Sequence, residues 1–382
     1  MNENTINSGQ LVAPRPEAGS RRAGDLSQPQ TTGQASRLCG VFKIVSFFTL
    51  VAVLAFGLNQ FISAGLRRIK TSEFGAFNQA MSGQINAGVI INGSSRALEH
   101  YDPVIIQKIS GESAYNLGRN GSQTDMQLAI LKAYLTHNTK PKVVIQNLDL
   151  FTFEMTRPGE VYDPALYLPY IADNDIYSAL RQISPETWKW RYIPLYGYAV
   201  EDMNFTWLTG LEAWFGHGPR EDFILGYNPR DAKWTGEFDR FKAAHPTGTS
   251  RKIEPRGVQV LEDLLTVCQS QGIQTILVYS PEYSAMQALE NNRAEIFGTF
   301  AAIAARHQVP VWDYSASPIC QNQNLFFNSQ HLNLEGATVF TTDLAARLAK
   351  FLAEEAPAHS AGATPSNSPA KGSGNITSPG HP

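Results

Sequence analysis

The sequence predicts an α/β protein, a three-layer αβα sandwich on a parallel five-stranded sheet, with an aromatic-rich insertion and one N-terminal transmembrane helix. Three observations carry this. From residue 88 onward, short apolar runs alternate with segments of helical period, the pattern of strands joined by crossover helices. The alternation breaks once, over residues 151–254, in a stretch rich in tryptophan. Ahead of both lies Ile44–Leu66, a run with no ionisable side chain, which as a helix is about 34 Å long and spans a bilayer core.

Residues 1–37 are rich in Ser, Gly, Gln and Asn without an apolar period and read as disordered, so that 1–43 forms a tail before the membrane. Lys43 and Arg67 bracket the apolar run. A cleaved signal peptide and a buried soluble helix are the alternatives to an uncleaved anchor. The run is long for a signal core, and many residues precede it. Basic residues flank it almost evenly, with Arg37 and Lys43 before and Arg67, Arg68 and Lys70 after, so charge does not orient it.

The predicted strands are Val89–Asn92, Ala114–Leu117, Lys142–Leu150, Thr275–Tyr279 and Val309–Trp312. Helices are predicted from Pro103 to Ile109, over Gln123–Thr136, near 256–271, over about 283–306 and over Leu334–Glu354. The folded domain is expected over 86–353. The insertion holds Trp188, Trp190, Trp207, Trp214 and Trp234. These rings either build a core of their own, stack on a sugar, or sit at a membrane interface. Residues 354–382 read as a flexible tail. Asn204 and Asn375 match the glycosylation pattern, which is common by chance.

A net charge of −3 and a pI near 6.3, without a basic run, give no reason to expect nucleic acid. Cys39 lies beside the apolar run. Cys268 and Cys320 either pair or stay as unpaired thiols, at least one of them buried. No cysteine or histidine spacing resembles a zinc site, and no cofactor is expected. A dinucleotide fingerprint, a P-loop, His-Glu-x-x-His and Gly-x-Ser-x-Gly are all missing from the sequence.

Chemistry is sought beyond the carboxyl ends of the strands. Strand one ends in Gly93-Ser94-Ser95, and helical sequence follows. A serine at that corner either caps the helix or presents a nucleophile beside its own N–H. Of the eight histidines, only His331 stands both after a late strand and before a helix that packs back on the sheet.

Three blocks, Gly93-Ser-Ser-Arg96, Asn116-Leu-Gly-Arg-Asn-Gly121 and Asn328-Ser-Gln-His-Leu-Asn-Leu-Glu-Gly-Ala337, resemble those of the SGNH, or GDSL-like, hydrolase superfamily. The likeness is greatest to its membrane-anchored, extracytoplasmic branch, some of whose members transfer acyl groups to envelope polymers. It covers roughly residues 86–153 and 255–353. The resemblance implies a flavodoxin-like sandwich, with Ser95 as nucleophile and His331 as general base. It implies oxyanion donors from Ser95, Gly121 and Asn147. It also implies an acyl-enzyme that passes its group to water or to a sugar hydroxyl. The domain is then expected outside the membrane in the periplasm, with residues 1–43 inside. The expected partners are the lipid bilayer, a carbohydrate polymer and, for a transferase, a membrane acyltransferase as donor.

Two departures stand out. Asn328 occupies the place of the family's aspartate; it can orient an imidazole but adds no charge. Asp149, close to Asn147, repels an oxyanion if ionised. An esterase or O-acyltransferase is therefore weighed against a catalytically degenerate protein that binds glycan or assists assembly.

Overall fold

The computed structural model describes residues 32–200 and 205–360, with side chains over 37–200 and 205–354. Residues 1–31 and 361–382, where most of both predicted tails fall, lie outside the described residues, as do Asn204 and Asn375. The chain forms two compact units, Met1–Val53 and Leu54–Pro382.

The helix α1 (Thr32–Leu66), whose residues up to Val53 belong to the first unit and the rest to the second, begins well before the predicted residue 44, so residues 32–43 are helical rather than disordered. Leu38, Phe42, Phe47, Phe48 and Leu50 are all exposed. Arg37–Leu66 is long and apolar enough to cross a membrane.

The second unit carries a five-stranded, all-parallel sheet in the order β2-β1-β3-β4-β5. The strands are β1 (Val89–Asn92), β2 (Ala114–Asn116), β3 (Val143–Leu148), β4 (Gln274–Tyr279) and β5 (Val311–Asp313). This is the predicted flavodoxin-like order, with its switch point between β1 and β3. β1 and β3 are buried throughout, as a strand covered on both faces must be. Alternate residues feed two cores. Ile90, Val144 and Leu277 face α2 (Ser72–Met81), α5 (Thr124–His137), α11 (Pro255–Ser270) and α13 (Arg293–His307). Val89, Ile91, Ile145 and Ile276 face α3 (Ser95–His100), α4 (Pro103–Ser110) and α14 (Leu334–Ser360).

Three expectations change, and the open question of the cysteines closes. The folded domain starts before residue 86, because Phe77, Ala80 and Met81 of α2 are in the core. The helix expected over 283–306 is two, α12 (Ser284–Gln287) and α13. Thr249 draws the intervening backbone away through bonds to Leu289 O (2.6 Å) and from Asn291 N–H (2.7 Å). The final helix continues to Ser360. Cys268 and Cys320 are both buried free thiols. Burial raises the Cys268 thiol to about 11.

The insertion contributes α6 (Asn174–Ile183), α7 (Trp188–Tyr192), α8 (Tyr196–Ala199), α9 (Thr206–Glu212) and α10 (Glu237–Ala244). None of its five tryptophans is fully buried, so they do not form a core of their own. Instead Leu166, Tyr167, Ile176, Leu180 and Ile183 join the main core, which makes the insertion part of the domain.

Candidate active site

After Asn92 the chain turns over the end of the sheet at Gly93. Its φ is 154°, and a Cβ there would lie 2.7 Å from Ala97 Cβ and 2.8 Å from Asn147 Cβ, so only glycine fits. The two serines that follow divide the alternatives between them. Ser94 caps α3, accepting the Arg96 N–H at 3.2 Å. Ser95 opens α3 half-buried, at a position where helix geometry leaves the backbone N–H without an intrahelical acceptor.

The loop before α14 brings His331 to Ser95, with Nε2 2.8 Å from Oγ. On the other side of the ring, Nδ1 is 2.9 Å from Asn328 Oδ1. That same Oδ1 accepts the N–H groups of Gln330 (3.0 Å) and His331 (2.9 Å). Backbone N–H groups only donate, so the atom facing them is the oxygen. Nδ1 must then carry the imidazole proton, and the Nε2 lone pair faces the serine hydroxyl. Burial first, then the charges of Arg96 and Arg230, push His331 down to about 3. The imidazole is therefore neutral at any ordinary pH.

His100, which has no role in the sequence reading, holds the loop. Its Nε2 accepts the Leu332 N–H at 3.0 Å, and its Nδ1 is 3.0 Å from Ser280 Oγ. Burial, and then Arg96 and His331, keep it neutral by lowering its pKa. Phe327 stacks on His331 with centroids 5.4 Å apart.

Glu99 was also missed. It lies four residues after Ser95 on α3, hence on the same helix face, and is 3% exposed. Oε1 accepts from Arg230 Nε at 2.8 Å. Oε2 is 4.0 Å from His331 Nε2 and has no hydrogen-bond partner. Burial raises the Glu99 carboxyl and Arg230 lowers it, with the net shift upward. The i,i+4 spacing was legible in the sequence, whereas Arg230 comes from the insertion without any signal.

Asn147 is 1% exposed, and its amide faces inward. Its Nδ2 donates to Leu148 O and Asp149 Oδ1, both at 3.2 Å, while its Oδ1 accepts from the Tyr101 hydroxyl at 2.7 Å. These bonds leave the amide no donor for an oxyanion, which corrects the role read for it. Asp149 is buried and paired with Arg96 at 3.2 Å. The Arg96 guanidinium also donates to Ser280 O and Leu148 O and lies 4.5 Å over the Tyr279 ring. One buried cation, next to Ser95 in the chain, thus ties α3 to the ends of β3 and β4.

Gly121, at φ 58°, belongs to a loop hooked onto Gly93. Both Arg119 N–H (3.1 Å) and Ser122 Oγ (3.2 Å) donate to Gly93 O. Tyr162 leans on Gly121 and also lines a cavity of about 680 Å³ with Trp190 and Tyr196. Ser95 and His331 line neither this cavity nor those of about 820 and 260 Å³.

No protein-family model matches the chain, and no curated protein sequence matches it. Among solved structures it is similar to a protein assigned to the lipolytic G-D-S-L family from Desulfitobacterium hafniense DCB-2, at 13% identity and TM-score 0.34, over 68% of this chain and 98% of that one. It is similar to a GDSL-like lipase from Bacteroides thetaiotaomicron VPI-5482, at 11% identity and TM-score 0.31, over 70% and 88%. It is also similar to a protein assigned as an acylhydrolase from Bacteroides fragilis NCTC 9343, at 10% identity and TM-score 0.32, over 68% and 87%. At these scores the likenesses carry no argument, and the fold and site rest on the chain's own sheet order and hydrogen bonds.

Proposed function

We propose that the protein is a membrane-anchored serine esterase or O-acyltransferase of the SGNH type, with its domain outside the cytoplasm and a cell-envelope glycan as acceptor. The observation that carries this is the chain Ser95–His331–Asn328, with links of 2.8 and 2.9 Å. His331 Nε2 takes the Ser95 proton as Oγ attacks an ester carbonyl. The oxyanion is met by the Ser95 N–H and by the loop at Gly121. The carbonyl re-forms, the alcohol leaves with the proton from His331, and the acyl group stays on Ser95. Water or a sugar hydroxyl, deprotonated by His331, then removes it.

Asn328 fixes the tautomer and ring but cannot offset the imidazolium charge. Glu99 Oε2, 4.0 Å from the nitrogen that receives the proton, is the carboxyl group placed to meet that charge as it forms. A glycan acceptor is supported by the aromatic cavity that starts at Tyr162, which leans on Gly121, and continues with Trp190 and Tyr196, whose faces suit sugar rings.

The test is covalent. A fluorophosphonate is expected to modify Ser95 in the full chain, with labelling lost in Ser95→Ala and in His331→Ala. Asn328 favours a second reading, a protein without turnover that binds glycan. Absence of labelling in a folded chain that binds the polymer would establish that reading instead.

A further inference from the structure

The end of α1 is gripped by the insertion. Gly65 and Gly210 let α1 and α9 cross in backbone contact; a Cβ on Gly65 would lie 1.8 Å from Gly210 O. Trp214 stacks on Phe61 at 4.7 Å and donates Nε1–H to Phe61 O at 3.1 Å. Ser63 Oγ meets the Tyr198 hydroxyl at 2.7 Å, and Leu195 N–H donates to Asn59 Oδ1 at 3.0 Å. Around this grip the side chains sort by polarity. Phe56, Phe61, Phe205, Trp207, Leu208 and Phe215 are exposed; Phe205 is 68% and Phe215 80% exposed. Phe205 also sits at φ 67°, a left-handed conformation that is unfavourable for a bulky residue. Directly after the grip lies the cavity of about 820 Å³. Arg67, Arg68, Lys70 and Arg220 supply its cationic lining, with His217 beside them and Asp222 as its carboxylate. Arg68 is stacked 4.7 Å over Trp214, so the apolar and basic layers share one residue.

Aromatic rings followed at once by arginine and lysine are the profile of a bilayer interface, where rings sit among the headgroups and cations meet anionic lipid. We propose that Phe205–Arg220 is a collar seated in the interface of the bilayer that holds α1, and that the basic cavity takes the phosphate of an anionic phospholipid. The occupant is argued from continuity with the apolar surface of α1 and from charge. This inference rests on α1 spanning a membrane, as proposed above, and is independent of the chemistry at Ser95.

Full-chain protein with Cys39→Ser is reconstituted in nanodiscs of neutral lipid with a minor anionic phospholipid. An environment-sensitive dye is placed singly by Phe47→Cys, Phe215→Cys or Val339→Cys, the last a reference on α14. Headgroup-depth nitroxide lipid is expected to quench the dye at 215 several-fold more than at 339, with blue-shifted emission. Bilayer-depth quenching at 47 reports the anchor itself. Quenching at 47 with an aqueous signal at 215 overturns the collar and leaves the anchor standing; aqueous signals at both overturn both. Native mass spectrometry reads the cavity. The parent chain is expected to keep one anionic phospholipid, and Arg68→Gln/Lys70→Gln/Arg220→Gln to lose it while keeping its circular dichroism. Equal retention by that variant overturns the lipid site.

Discussion

Asn328 is where one residue decides most. Its oxygen already accepts three N–H groups, an arrangement that suits a carboxylate at least as well. Asn328→Asp is therefore expected to fold and to raise turnover on a small ester. In a serine protease triad the reverse change costs about 10⁴ in turnover, and the gain here is expected to be smaller because Glu99 is already placed to meet the imidazolium charge. Glu99→Gln is expected to lower kcat more than it raises KM, and to lose less in the Asn328→Asp background than in the parent chain. Equal losses in both backgrounds would remove Glu99 from the proton's path. His100 belongs to stability. Its folded pKa is lowered, so below about pH 6.5 the unfolded chain binds a proton that the folded chain refuses. Stability then falls with falling pH by about 1.4 kcal/mol per unit from this residue. His331 contributes a like share, so His100→Gln is expected to reduce the total slope by about half in urea titrations between pH 6.5 and 5.

Among the elements, the five strands could be read because each is a short apolar run between turn signals, and parallel pairing follows from the helices between them. The Ser94-Ser95 corner and His331 could be singled out because they lie in sequence next to a strand end and a helix start, whereas the choice of Ser95 and the place of Asn328 were implied by the resemblance. Most of what could not be read shares one cause: partners distant in sequence. Nothing local announces that Thr249 will split α12 from α13, or that α2 closes the core. Asn147 was misread for a mixed reason: its amide is taken by its own neighbours Leu148 and Asp149, but the residue that holds that carboxylate in place, Arg96, is distant in sequence. Phe77, buried in α2 against Tyr167 and Tyr170, makes this testable. Phe77→Ala is expected to cost about 3–5 kcal/mol in urea unfolding. Arg96→Met is expected to cost a similar amount, about 3–5 kcal/mol, by leaving Asp149 buried and unpaired.

At the scale of the whole molecule, the last turns of α1 belong to the folded domain. Ile62, Ser63 and Leu66 are buried there with Ala165, Leu168 and Tyr198. A chain beginning at residue 54 is expected to keep the urea midpoint of the full protein. One beginning at 67 forfeits two buried aliphatic side chains, worth about 1.5–3 kcal/mol each. A protease that cut after Leu66 would release a weakened domain, not a working soluble one. Grafting the domain onto a foreign membrane helix would fail in the same way unless Asn59–Leu66 travelled with it. The apolar helix is thus not an interchangeable leader: its final residues are a subunit-like piece of the folded domain, supplied in cis.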